Sequence, residues 1–239
     1  MYCLAPAGVG VALTEEHLIP RALGGRLTLR DAACEPCRRL TGRLEQLTLD
    51  REFAVPRTLL AMKRRRARAP GPKRLPPVLL RGDTAPSTLT AATFPRAFAL
   101  PAFEPPGLLS DRAASASPRI TLVDCRLDLG TPPRATVAAA PSMSDPFAYA
   151  HSIAKWAFAL TVADRGLDAL DLQPMRDLMM GRRHDVFAFV GSSARAATTP
   201  CEWLHEVAWR DEAGWLVATL GLFASAGMTP YDVVIGRRR

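Results

Sequence analysis

Ten of the 21 prolines in this chain fall between residues 69 and 118. Each removes a backbone donor and fixes φ, and with the pairs Pro76-Pro77 and Pro105-Pro106 among them no long helix can run through that stretch. The 239 residues therefore divide into a motif-dense segment at 1–68, a proline-rich connector at 69–118 and a larger segment at 119–239. The connector is expected to be a draped loop or a chain of short strands, with Thr88–Phe94 the piece most compatible with an edge strand. A hydrophobic content of 48% is enough for a packed core.

Segment 119–239 reads as an α+β domain with a mainly antiparallel sheet and a buried helix. Asp145 is a natural N-cap and Pro146 suits a first helical position, so a helix is expected from Pro146 to about Arg165. Its apolar residues, Ala148, Ile153, Trp156, Phe158 and Val162 among them, spread around most of the circumference, which places it between other elements. Strands are expected at Arg119–Val123, Ala135–Ala140, Val186–Val190, Trp203–Arg210, Trp215–Phe223 and Tyr231–Ile235. The run Arg210-Asp211-Glu212-Ala213-Gly214 reads as a turn.

Charge is distributed unevenly. Residues 1–74 hold 15 Lys/Arg against 7 Asp/Glu, whereas residues 75–239 hold 16 of each, so the net charge of +8 is entirely N-terminal. Such a surplus fits a polyanion, because Lys and Arg that neutralise phosphates release condensed counterions. Lys63, Arg64, Arg65 and Arg66 form its densest run. On the presumed helix after Cys37, Arg38, Arg39 and Arg43 are further candidates for phosphate contacts, although a solvated basic face explains the same residues. The apolar stretch Cys3–Leu13 has no basic flank and is broken by Pro6, Gly8 and Gly10, so it fits neither a leader nor a membrane span, and a cytoplasmic setting is expected.

Five cysteines, two of them spaced as Cys34-x-x-Cys37, point to metal or redox chemistry before a disulfide framework. Cys125 and Cys201 stand alone and read as core thiols. His151, His184 and His205 join no motif.

The segment Glu15-Glu16-His17-Leu18-Ile19-Pro20, followed by Gly24-Gly25 and then Cys34-Glu35-Pro36-Cys37, resembles the HNH endonuclease family. The resemblance covers about the first quarter of the chain. It implies a ββα-metal module: the acid-His pair ends one strand, a Gly-containing turn leads to a second, and a helix opens at the Cys-x-x-Cys knuckle. The local sequence agrees, since Gly24-Gly25 permits a tight reversal, Leu27 and Leu29 alternate as in a half-buried strand, and Leu40, Leu44 and Leu47 share a helical face. It further implies His17 as the general base that activates water, and Glu16 as a ligand of a divalent ion, Mg²⁺ or Mn²⁺, set against the scissile phosphate. Cys3, Cys34 and Cys37 match three of the four positions of a structural zinc site, and Pro6 stands at the remaining one.

A second departure is Arg38, which stands where the family places Asn or His on the helix. A guanidinium has no lone pair to donate and cannot ligate a cation. Either fewer protein ligands hold the metal, or Asp31 or Glu35 substitutes, or Arg38 contacts phosphate and cutting has been lost. Three functions follow as expectations: a metal-dependent endonuclease acting on DNA, a non-cutting DNA-binding protein on the same scaffold, and a zinc-stabilised interaction module beside a functional 119–239 domain. That domain would supply substrate choice, regulation or dimerisation, so a homodimer is one arrangement left open.

Overall fold

The computed structural model describes residues 1–3, 11–62, 75, 77–80, 84–94, 96–110, 119–126, 137–139, 145–168, 170–194, 204–226 and 228–238. Lys63 to Arg66, Pro6 and Cys201 lie outside them. The fold mixes helices with antiparallel sheets. Strands β1 (Leu13–His17) and β2 (Thr28–Cys34) form an antiparallel hairpin that runs into α1 (Glu35–Asp50), and α2 (Ala54–Leu59) follows. Strands β3 (Leu79–Leu80), β4 (Ala97–Phe103), β5 (Ile120–Arg126) and β6 (Val137–Ala139) pair as two ribbons, β3 with β6 and β4 with β5. Then come α3 (Pro146–Arg165), β7 (Leu170–Asp171), α4 (Gln173–Met179), α5 (Val186–Phe189), β8 (Val190–Ser192), β9 (His205–Glu212), β10 (Trp215–Leu222) and β11 (Tyr231–Arg238). The last sheet has the order β7-β11-β10-β9, with β8 also on β11. Among the described residues, no helix is long and apolar enough to cross a membrane.

Helix α3 begins where its cap residues place it: the Asp145 carboxylate accepts from the Ala148 N–H at 3.1 Å, and Pro146 occupies the first turn. It is buried on nearly all sides. Phe53, in the turn between α1 and α2, stacks on Tyr149 at 5.7 Å and lies against Trp156 and Phe223, each at 5.9 Å, while Tyr2 meets Phe158 at 5.9 Å. The same buried cluster therefore contains Tyr2, Leu23, Cys37 and Phe53 from the start of the chain and Ile153, Trp156, Val217 and Val233 from its end. Truncating a ring such as Phe53 in this position costs about 3–5 kcal/mol.

Several elements depart from expectation. Thr88–Phe94 is not a strand but bends and turns, closed by a hydrogen bond from the Phe94 N–H to Thr90 O. Besides the two-residue β3, the described part of the connector forms β4, where Phe98, Leu100 and Phe103 are buried. Alanines separate them, so the contrast between faces is faint in the sequence. Pro101 sits within β4 in a two-stranded ribbon, the setting in which a missing donor is tolerated. Val186–Phe189 is a turn of helix, α5, and only Val190 belongs to a strand, β8, because an all-apolar run buried on every side carries no period to read. The turn after β9 narrows to Ala213-Gly214, both at positive φ (51° and 77°), as a two-residue hairpin requires.

Two N-terminal packing expectations also change. Leu27 is 68% exposed, so the alternation with Leu29 does not mark a buried face. Helix α1 turns inward not Leu40, Leu44 and Leu47 but Cys37, Thr41, Thr48 and Leu49. The reason is the partner. This face of α1 meets a polar stripe on α3, where the Ser152 hydroxyl donates to Thr48 Oγ1 at 3.0 Å and Lys155 reaches Glu45.

Candidate functional site

Hairpin β1–β2 is irregular where it carries the acid-His pair. Thr14 pairs with Ala33 but Glu16 pairs with Leu29, so β2 bulges through Arg30, Asp31 and Ala32, with Asp31 at φ 50°. A bulge re-aims side chains. Glu15 faces solvent, where it accepts from the Thr28 hydroxyl at 3.1 Å, Glu16 is buried, and His17 is half-buried. The turn that follows needs its glycines: Gly24 has φ 87°, and a Cβ on Gly25 would lie 2.0 Å from the Ile19 carbonyl oxygen. His205 braces this turn from the other end of the chain, its Nε2–H donating to Leu23 O at 2.7 Å while Nδ1 accepts from the Phe223 N–H.

Glu16 points into the protein at Lys155 of α3. The ammonium lies 2.7 Å from Glu16 Oε1 and also contacts Glu45 of α1. The Lys155 side chain is 5% exposed and that of Glu16 7%. Burial pushes the Lys155 ammonium toward the neutral form, but the two carboxylates outweigh it and hold the group above the usual lysine range. Burial raises the Glu45 carboxyl, and Lys155 draws it part of the way back. The Tyr2 hydroxyl is buried beside them without a hydrogen-bond partner among the described residues, and burial, then Glu16 and Glu45, raise it well above the usual tyrosine value. His17 is next in sequence to Glu16, and its buried Nδ1 has no hydrogen-bond partner among the described residues.

The knuckle forms the second cluster. Cys34 is the N-cap residue of α1 and Cys37 lies in its first turn. Cys3 reaches them because the N-terminal residues are pinned alongside β2: the Arg176 guanidinium donates to Met1 O at 3.2 Å, and the Tyr2 ring is fully buried. The three sulfurs lie within 4.8 Å of one another, with Cys3 and Cys34 at 3.5 Å. Burial, then hydrogen bonding of its S–H to Cys34 and Cys3, pushes the Cys37 thiol up to about 12. Among the described residues, these three and Cys125 form no disulfide. A cluster of this kind fits a thiophilic ion such as zinc, which displaces the thiol protons as it binds.

The basic residues of the hairpin and of α1 lie on the surface. Arg38 and Arg39 are exposed and both bind Glu35, at 2.7 Å and 2.8 Å, which holds that carboxyl near 2. Arg43 is exposed one turn beyond Arg39 on the same face of α1, and Arg21, Arg26 and Arg30 are exposed around the hairpin. Asp31 is exposed on the bulge.

Lys155, Glu45, Met180 and Tyr2 were not among the residues expected here. Lys155 did leave a signal, a lone cation in the apolar stretch of α3. Comparison of the chain with models of protein families, with curated proteins and with solved structures returned no match in any of the three.

Proposed function

We propose that this chain is a DNA-binding protein that does not cut, built on an HNH-like ββα module whose thiol cluster takes a structural zinc. The observation that carries the reading is the contact of Lys155 with Glu16 at 2.7 Å inside the protein. In the nuclease reading Glu16 holds Mg²⁺ or Mn²⁺. Here its buried carboxylate already has a covalently tethered cation, and a divalent ion on the same oxygens would meet the repulsion of an ammonium that has almost no path to solvent. Arg38 supplies no ligand in its place, and Glu35 is engaged by two guanidinium groups. Hairpin and helix meanwhile expose Arg21, Arg26, Arg30, Arg39 and Arg43, cations suited to phosphate oxygens. Reduced thiols agree with a reducing compartment such as the cytoplasm.

The nuclease is the second reading, favoured by His17: its imidazole is half-buried, directly follows Glu16 and has no partner for Nδ1 among the described residues. One experiment separates the two. Purified protein is incubated with supercoiled plasmid in Mg²⁺, in Mn²⁺ and in chelator, beside His17→Ala, and the same DNA is followed by gel retardation as salt rises. The proposal expects no metal-dependent nicking and a retardation that weakens with salt, each phosphate contact adding about −0.9 to the log–log slope. Metal-dependent nicking that disappears in His17→Ala would establish the nuclease instead, and the absence of retardation at low salt would remove DNA as the partner.

A further inference from the structure

The three thiols of the knuckle leave a tetrahedral ion one donor short, and the first-knuckle position that would fill the gap is Pro6. Nor do its neighbours help, because residues 4–10 read Leu-Ala-Pro-Ala-Gly-Val-Gly and carry no ligating side chain. The nearest further sulfur comes from elsewhere in the chain. Met180 follows α4 directly, and its Sδ accepts from the Cys37 thiol at 3.5 Å. Zn–S bonds of about 2.3 Å set the edges of a sulfur tetrahedron at about 3.8 Å. The contacts Cys3–Cys34 and Cys37–Met180, both 3.5 Å, are already close to that spacing.

We propose that Met180 is the fourth ligand of a Cys₃Met zinc site. This deepens the reading of the thiol cluster as a zinc centre and rests on it. Three thiolates, formed as three protons leave, supply the charge, and the thioether, a neutral soft donor, completes the coordination. Because Met180 lies 143 residues from Cys37 in the chain, the ion joins the hairpin–helix module to the end of α4. Metal binding then stabilises the packing of the two parts and not the knuckle alone.

The test loads reduced full-length protein with one equivalent of Zn²⁺ and counts its sulfur neighbours by X-ray absorption, with affinity taken from competition against a chromophoric chelator. Wild type is expected to show four sulfurs. Met180→Leu conserves volume and is expected to keep the fold, to show three sulfurs and to bind at least about tenfold more weakly, the lower end of what disturbing a supporting group costs a metal site. Met180→Cys is expected to restore four sulfurs and to bind more tightly than wild type. Four sulfurs retained in Met180→Leu, or a sulfur lost in Cys201→Ser, would overturn the assignment of Met180. Three sulfurs plus a nitrogen or oxygen in wild type would overturn it while leaving the zinc reading intact, whereas no bound zinc in wild type would remove both.

Discussion

The thiol cluster and the Glu16–Glu45 pair are built from the same hairpin and helix, and they answer the same electrostatic problem in opposite ways. Cys3, Cys34 and Cys37 converge beside the Met1 ammonium, which burial pushes toward the neutral form, and burial keeps Cys37 protonated until an ion displaces its proton. Glu16 and Glu45 converge on Lys155, which offsets one of their two negative charges from within. One corner is a donor set open to a metal, the other a carboxylate pair already closed by the protein's own chain. A motif therefore specifies where ligands are brought, while the element packed behind it decides whether an ion can enter.

Removal of the internal cation is expected to have the largest effect on the fold. Lys155→Met leaves two buried carboxylates unpaired and is expected to lower stability by about 3–5 kcal/mol in urea denaturation. Adding Glu16→Gln and Glu45→Gln should recover much of that loss. If Lys155→Met alone were neutral, the carboxylate corner would not be closed in the sense argued here. At the thiol corner the ion itself is the variable. Chelation of zinc-loaded protein should lower its melting temperature by the equivalent of about 3–4 kcal/mol when free zinc had been at 100–1,000 times its Kd, and Cys34→Ser should abolish the difference.

A third prediction uses a carboxylate with no cation so close. Glu52 is 7% exposed, its Oε1 accepts from the Asp145 N–H at 2.7 Å, and its Oε2 is buried without a partner among the described residues. Burial raises its carboxyl from 4.5 to about 7. The folded state then holds a proton that the unfolded state has released, so between pH 4.5 and 7 stability should fall as pH rises, by at most about 3 kcal/mol. Glu52→Gln should flatten that part of the profile, and an unchanged slope in the variant would remove Glu52 as its source. The smallest effects belong to the exposed arginines. Arg43→Ala should change stability by no more than about 0.5 kcal/mol while reducing the salt slope of DNA binding by about 1.

Much of the architecture was legible in the sequence for local reasons. Asp145-Pro146 marks the start of α3, and β9, β10 and β11 follow from alternation and a turn ending in Gly214. Elements whose surroundings are uniform were not legible. Val186–Phe189 is apolar throughout and hides its helical period, and β4 dilutes its pattern with alanine. At the candidate site, the resemblance grouped Cys3 with Cys34 and Cys37, and their three sulfurs lie together. The polar inner face of α1 was invisible, because Leu40, Leu44 and Leu47 make the more apolar stripe and only the partner helix shows that Thr41, Glu45 and Thr48 turn inward. Lys155 and Glu45 are 110 residues apart, and no local rule joins them.

The claim that one corner is open and the other closed is tested most directly by counting metal ions on reduced protein supplied with both Zn²⁺ and Mn²⁺. One tightly held zinc, lost in Cys34→Ser, with no bound manganese detected by electron paramagnetic resonance, is the predicted result. A manganese ion that binds wild type and is lost in Glu16→Gln would show that the carboxylate corner opens, and would contradict the account.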